Sequence, residues 1–187
     1  MADNNHSTDR DDFGHWLSGF TDGEGCFSLY WRQTRTQLPR AAFVLELRSD
    51  DTPILQSIRD YLGAGQIYTR QRKAAAMAIL ITNKIPILQN VIIPHFDRYP
   101  LRAKKSRDFL IWREAVLLLA DVKRRPIVHY TFGHGTKPRY TPDELRRFQK
   151  LSQQLRAVRR YNSSSEPLPP RNGHKSTDDQ QLFHFDQ

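Results

Sequence analysis

Leu17-Ser18-Gly19-Phe20-Thr21-Asp22-Gly23-Glu24-Gly25 is the stretch on which the reading of this chain turns. It closes an apolar helical period that begins at Asp11. Phe13, Trp16, Leu17 and Phe20 recur at i, i+3, i+4 and i+7, acids stand at the start, and Gly25 marks a stop. Gly19 and Gly23 lie four apart and so share one helix face. Each glycine inside a helix costs about 1 kcal/mol relative to alanine. Close approach of a second helix backbone would offset that cost. Glu24 falls at the helix C-terminus, among unpaired carbonyls and the negative end of the dipole. A carboxylate there opposes stability but suits a hard divalent cation with oxygen ligands. Two such helices paired about a two-fold axis would bring two Glu24 carboxylates together, and without metal these would repel. Asp22, two residues earlier, points from another face and reads as structural.

Outward from this stretch the elements alternate. Cys26–Gln33 is an aromatic-rich strand, and Arg40–Ser49 reads as its hairpin partner. Asp50 or Asp51 caps a helix running to Leu62, with Ile54, Leu55, Ile58 and Leu62 on one face, and Gly63-Ala64-Gly65 ends it. Gln66–Lys73 and Ala75–Thr82 form a second hairpin, and Lys84–Phe96 a helix interrupted by Pro86 and Pro94. Ala103–Asp121 is the longest helix signal, carrying Phe109, Trp112, Val116 and Leu119. A last basic helix lies within Pro138–Tyr161, where Thr141-Pro142-Asp143-Glu144 offers an N-cap, a first-turn proline and first-turn acids. The order predicts an α+β domain over residues 11–161, with four antiparallel strands, helices on one face and the other face open. Residues 1–10 read as a disordered arm and 162–187 as a flexible tail.

Composition narrows the partners. The 187 residues carry 29 Lys+Arg against 20 Asp+Glu, a net +9, which favours a polyanion. One cysteine excludes a disulfide framework and a cysteine-based zinc site, and fits a reducing compartment. No apolar run approaches the ~20 residues that span a bilayer, and the start lacks the form of a signal peptide. Strand alternation sets Phe27, Leu29 and Trp31 on one side of the first strand, with Ser28, Tyr30 and Arg32 on the other. In the second, Phe43, Leu45 and Leu47 look inward while Val44, Glu46 and Arg48 look outward; in the third, Ile67 opposes Tyr68, Arg70 and Arg72. The turn Gln33–Gln37 adds donors. Arginine reads guanine and glutamine reads adenine in the major groove, yet an ordinary solvated sheet face is polar too. Leu101–Arg107 holds four basic residues in seven. Cations oppose the dipole of a helix start, which points to phosphate contact. His95, His129 and His134 read as surface or loop histidines, and Cys26 as a strand residue. Arg146–Arg160 fits either a DNA flank or a solvated helix packed by Phe148, Leu151, Leu155 and Val158.

The nonapeptide resembles the signature of the LAGLIDADG homing endonucleases. Leu17, Gly19, Asp22 and Gly25 match by identity, Ser18, Gly23, Phe20 and Glu24 by type, and Thr21 departs. The likeness covers roughly residues 12–122, including Pro100-Leu101-Arg102-Ala103-Lys104-Lys105. It implies an αββαββα core with a four-stranded antiparallel DNA-binding sheet, plus C-terminal helices. With one motif, it implies a homodimer on a long pseudo-palindromic double-stranded site, hydrolysing both strands with Mg²⁺ or another divalent cation. Glu24 would be the catalytic metal ligand and the Gly23 carbonyl a second ligand, with Lys104 and Lys105 acting electrostatically. Gly19, Gly23 and Phe20 would form the dimer interface. Ser28, Tyr30, Arg32, Gln33, Thr34, Arg35, Gln37, Arg40, Arg48, Tyr68, Arg70 and Arg72 would face DNA, Arg48 standing where the family usually has glutamine. Alternatives are an intron-splicing maturase acting on its own intron RNA, a DNA- or RNA-binding protein that does not cleave, and a basic ribosome-associated domain. Each is intracellular, in a bacterial cytoplasm or an organelle (mitochondrion or chloroplast), with no membrane partner.

Overall fold

Helix α1 (Asp3–Glu24) runs without a break into strand β1 (Gly25–Trp31) in the computed structural model, which describes residues 3–32, 38–72, 75–125 and 140–159. Strand β2 (Pro39–Arg48) follows, then a 3₁₀ turn (Ser49–Asp51), helix α2 (Thr52–Leu62), and strands β3 (Gln66–Gln71) and β4 (Ala76–Thr82). Helix α3 (Ile85–Ile87), a π turn (Leu88–Ile92) and helix α4 (Ile93–Arg98) lead to the long α5 (Lys105–Arg124) and to α6 (Pro142–Arg159). The sheet order is β1-β2-β4-β3, antiparallel throughout, so the two hairpins meet along β2 and β4. This is the expected α+β, αββαββα arrangement with additional C-terminal helix.

The N-terminal arm is a correction: Asp3 to Arg10 continue α1 instead of forming disordered chain. The apolar period starts only at Phe13, but polar contacts anchor the helix ahead of it. Asp11 accepts hydrogen bonds from Arg98 (2.8 Å) and from the Tyr99 hydroxyl (2.5 Å), and Arg10 lies over the Tyr61 ring. Gly14 lets this half of the helix press on the domain. A Cβ there would stand 2.5 Å from the Tyr99 ring. The 85–98 segment stays helical through both prolines, because each sits in a first turn and the π turn ahead of Pro94 absorbs the missing N–H. The proposed tail, residues 162–187, lies outside the described residues.

The core fills the inner face of the sheet. Phe27, Phe43, Leu45 and Leu80 are fully or almost fully buried against Phe96, Phe109 and Trp112. The Phe27 ring lies 5.2 to 5.5 Å from four other aromatic rings, and burying such a ring contributes about 2–3 kcal/mol. Trp112 Nε1 donates to the Ala42 carbonyl (3.1 Å), which fixes α5 across the sheet without an orphaned donor. Helix α6 packs through Phe148, Leu151 and Leu155, with Arg146, Arg147, Lys150 and Arg156 exposed and Arg159 turned inward. Val158, expected among its packing residues, is 40% exposed. His95 corrects the surface reading. It is buried on α4 among Tyr61, Phe96 and Tyr99, and this burial holds its imidazole down at about 4, hence neutral. His129 and His134 lie outside the described residues.

Candidate active site and nucleic-acid face

The end of α1 is tied to the start of α5 by backbone chemistry. Asp22 Oδ2 accepts the N–H groups of Arg102 (2.9 Å) and Ala103 (3.0 Å), the structural role expected of it. This draws Lys105 back over the helix end, where its Nζ donates to the carbonyls of Asp22 (3.0 Å) and Gly23 (2.8 Å). A cation on the last carbonyls of a helix satisfies orphan acceptors and complements the dipole. The Gly23 oxygen, expected as a metal ligand, therefore already has a donor, because the Asp22 bonds bring Lys105, 82 positions on in sequence, to the helix end. Lys104, one residue earlier, is exposed at the start of α5. Gly25 permits the abrupt change from helix to strand, since a Cβ there would strike Thr21.

Glu24 is exposed at this helix end, and among the described residues its carboxylate makes no hydrogen bond or ion pair. Beside it opens a cleft of about 540 Å³ lined by Asp22, Cys26, Lys104, Lys105, Asp108 and Arg159, among others. Arg159 was not singled out from sequence. It donates to Asp108 (2.7 Å) and to the Phe27 carbonyl (2.6 Å), closing the cleft with the end of α6. Burial pushes the Cys26 thiol up, away from the thiolate form. Among the described residues no three His, Cys, Asp or Glu side chains gather as a metal-holding group. Of the carboxylates at this end of α1, Asp22 and Asp108 are already hydrogen-bonded, and Glu24 is the one left without a partner among the described residues.

The opposite face of α1 is bare. An added Cβ at Gly19 or Gly23 would meet nothing within 4 Å, and Trp16, 43% exposed, stacks on Phe20 with ring centroids 5.1 Å apart. Among the described residues nothing covers Gly19 and Gly23, while Phe20 packs partly against the core and holds Trp16 at the edge of this face.

The outer sheet face differs from its polar reading in the middle. Ser28, expected at DNA, is only 5% exposed, a short side chain recessed opposite Ala42. Ile79 and Ile81 pair across with Glu46 and Val44, so they share this face, yet they are 3% and 4% exposed. An apolar floor lies here beneath a polar rim. Of the rim, Tyr30, Arg40, Tyr68 and Arg70 are half-buried and Arg32, Arg48 and Arg72 exposed. Burial pushes the Tyr30 and Tyr68 hydroxyls up, keeping them protonated donors. Arg48 is joined to Asp50 at 3.3 Å in an exposed pair. Glu46 takes both Arg70 (3.3 Å) and Arg72 (2.9 Å). The sequence reading placed Glu46 on this face and assigned it no role. Gln33, Thr34, Arg35 and Gln37 lie outside the described residues.

A helix ending in an exposed acid without a partner among the described residues, feeding a four-stranded antiparallel sheet with a cationic rim, defines an α+β scaffold. Residues 17–116 match the sequence profile of the LAGLIDADG endonucleases, and the chain belongs to that family. It is 30% identical over 111 residues to a Schizosaccharomyces pombe protein named "Probable intron-encoded endonuclease Cox1-I1b", covering 58% of this chain and 28% of that protein. The solved LAGLIDADG meganuclease I-AabMI bound to uncleaved DNA is 31% identical, with TM-score 0.53, 59% of this chain and 38% of that one covered. The LAGLIDADG homing endonuclease I-GzeII in complex with its DNA target shares the fold at TM-score 0.62 and 22% identity, over 78% of this chain and 44% of that one. The chain thus spans less than half the length of each of these relatives.

Proposed function

We propose that this chain is a sequence-specific, divalent-metal-dependent DNA endonuclease that acts as a homodimer and hydrolyses both strands of a pseudo-palindromic site. The observation that carries the reading is the exposed, unpartnered Glu24 carboxylate at the end of a helix whose Gly19–Gly23 face is open. Two copies joined along that face bring two Glu24 carboxylates to one centre, and each chain then supplies the acid for one strand. Exposed oxygen donors of this kind fit a hard cation such as Mg²⁺. Glu24 would hold it, with the second lone pair of the Gly23 carbonyl available beside the Lys105 bond. A bound divalent cation activates a water and steadies charge on phosphate oxygens.

The chain's own groups do the remaining work. Lys105 neutralises the carbonyl end of α1, so that a phosphodiester can approach the acid without facing an unscreened negative dipole. Lys104 faces solvent at the cleft mouth, placed to meet phosphate. The rim residues Tyr30, Arg32, Arg40, Arg48, Tyr68, Arg70 and Arg72 supply groove and backbone contacts, phosphates for affinity and base edges for sequence. Among the described residues no helix is long and apolar enough to cross a membrane. The test is cleavage of a duplex carrying the joined-exon sequence around the gene's insertion point, in Mg²⁺. Strand breakage at one site supports the proposal, and an intact duplex bound without preference overturns it.

A further inference from the structure

The Glu46 carboxylate reaches from the central strand β2 to the edge strand β3, crossing β4 above Ile79, to meet the guanidiniums of both Arg70 and Arg72. On a surface whose task is to hold a polyanion, this acid works against affinity. It lowers the local charge from +2 to +1 at Arg70 of β3 and Arg72, one residue past the strand's end. Its side chain is 23% exposed, less than either arginine, so the carboxylate is the most sheltered member of the three. Arg70 Nε is buried, so part of that guanidinium is packed against the sheet and only its outer edge is open to a ligand. Two flexible cations that served only phosphates would need no such clamp.

We propose that Glu46 is a specificity-determining residue: it holds Arg70 and Arg72 as a pair of pre-oriented base readers for guanines, and denies them to the phosphate backbone. The inference rests on the DNA-binding function proposed above. Arginine has five N–H donors in a planar fork, so one or two bonds to Glu46 leave donors for the O6 and N7 of guanine. Residues i and i+2 on a strand stand about 7 Å apart, which is about two base-pair steps at 3.4 Å each. The pair therefore reads guanines about two steps apart in each half-site. Holding the guanidiniums in advance reduces the rotamer entropy lost on binding.

The experiment is selection from a randomised duplex pool, in buffer holding calcium in place of magnesium, with the full chain as wild type, Glu46→Ala and Glu46→Gln. A salt titration on one fixed, unrelated duplex accompanies it. Wild type is expected to enrich guanines at two positions two steps apart. Glu46→Ala loses that enrichment about tenfold while the other selected positions stay. Its log–log salt slope on the unrelated duplex steepens by about 1 to 2, because both arginines turn to phosphates. A cross-strand ion pair that merely supports the sheet would leave both readouts unchanged, and that result overturns the inference. Glu46→Gln keeps the side-chain volume and is judged by the same two readouts, so misfolding of the alanine variant decides nothing alone. A wild type that binds but enriches no sequence overturns the DNA-reading function itself, a failure separate from enrichment that survives the loss of Glu46.

Discussion

Helix α1 uses glycine in opposite ways along its length. Gly14, at the middle of the helix, is buried under Tyr99 and Tyr61 of its own chain, and the helix is held on either side of it by Asp11 and by the Ser18 hydroxyl donating to the Tyr99 carbonyl (2.6 Å). Gly19 and Gly23, in the second half, face open space, and the helix ends in an exposed acid. Close approach inside the chain consumes the first glycine. The other two are the ones that the proposed dimer would use, by approach of a second copy's helix. Under that proposal one helix is a folding anchor at its start and an assembly and chemical surface at its end.

Replacing Glu24 by Gln attacks the second half without touching the first. Cleavage in Mg²⁺ should fall at least ~10³-fold, about 4 kcal/mol of barrier, while target binding and thermal stability hold. Cutting that survives this change removes Glu24 from the site.

Burial keeps His95 neutral beneath the anchored half. Below its ordinary value near 6.5 the unfolded chain takes up a proton that the folded chain refuses until about pH 4. Stability should therefore fall as the pH drops through that window, by on the order of 3 kcal/mol. Denaturant melts at several pH values should find this loss reduced in His95→Phe.

Gly14→Val should overpack the Tyr99 contact and destabilise the fold by about 1–3 kcal/mol, seen as a lower Tm. Gly19→Leu should leave the Tm of the isolated chain close to wild type, since nothing stands within 4 Å. It should instead weaken self-association about tenfold or more, ~1.4 kcal/mol, in sedimentation. Equal effects of the two substitutions on Tm would erase the contrast between the halves.

Much of this was legible locally. The i, i+3, i+4 period of Phe13, Trp16, Leu17 and Phe20, the two spaced glycines and the acid at the stop are properties of consecutive residues, and the strand alternation of Phe27, Leu29 and Trp31 is likewise short-range. Four features were not legible. Helix α1 extends ahead of its apolar period, where Arg98 and Tyr99 hold Asp11 and the Tyr61 ring holds Arg10 from other elements. Ser28 is buried because the strand beside it is close, whatever its own polarity. His95 reads as an exposed polar residue until three aromatic neighbours arrive. The Glu46 clamp spans two strands that meet only through β4.

The amino-acid order by itself determined which elements form, which faces are apolar, and that an acid stands where a helix yields its carbonyls, because each is set by the 3.6- and 2-residue periods of the chain. Tertiary structure alone decided who meets whom. It laid Lys105 on the Gly23 carbonyl across 82 positions and Arg159 on the Phe27 carbonyl across 132. It also left Gly19 and Gly23 uncovered. Such pairings depend on how packed layers bring distant residues within a few ångströms, and no local pattern encodes that distance.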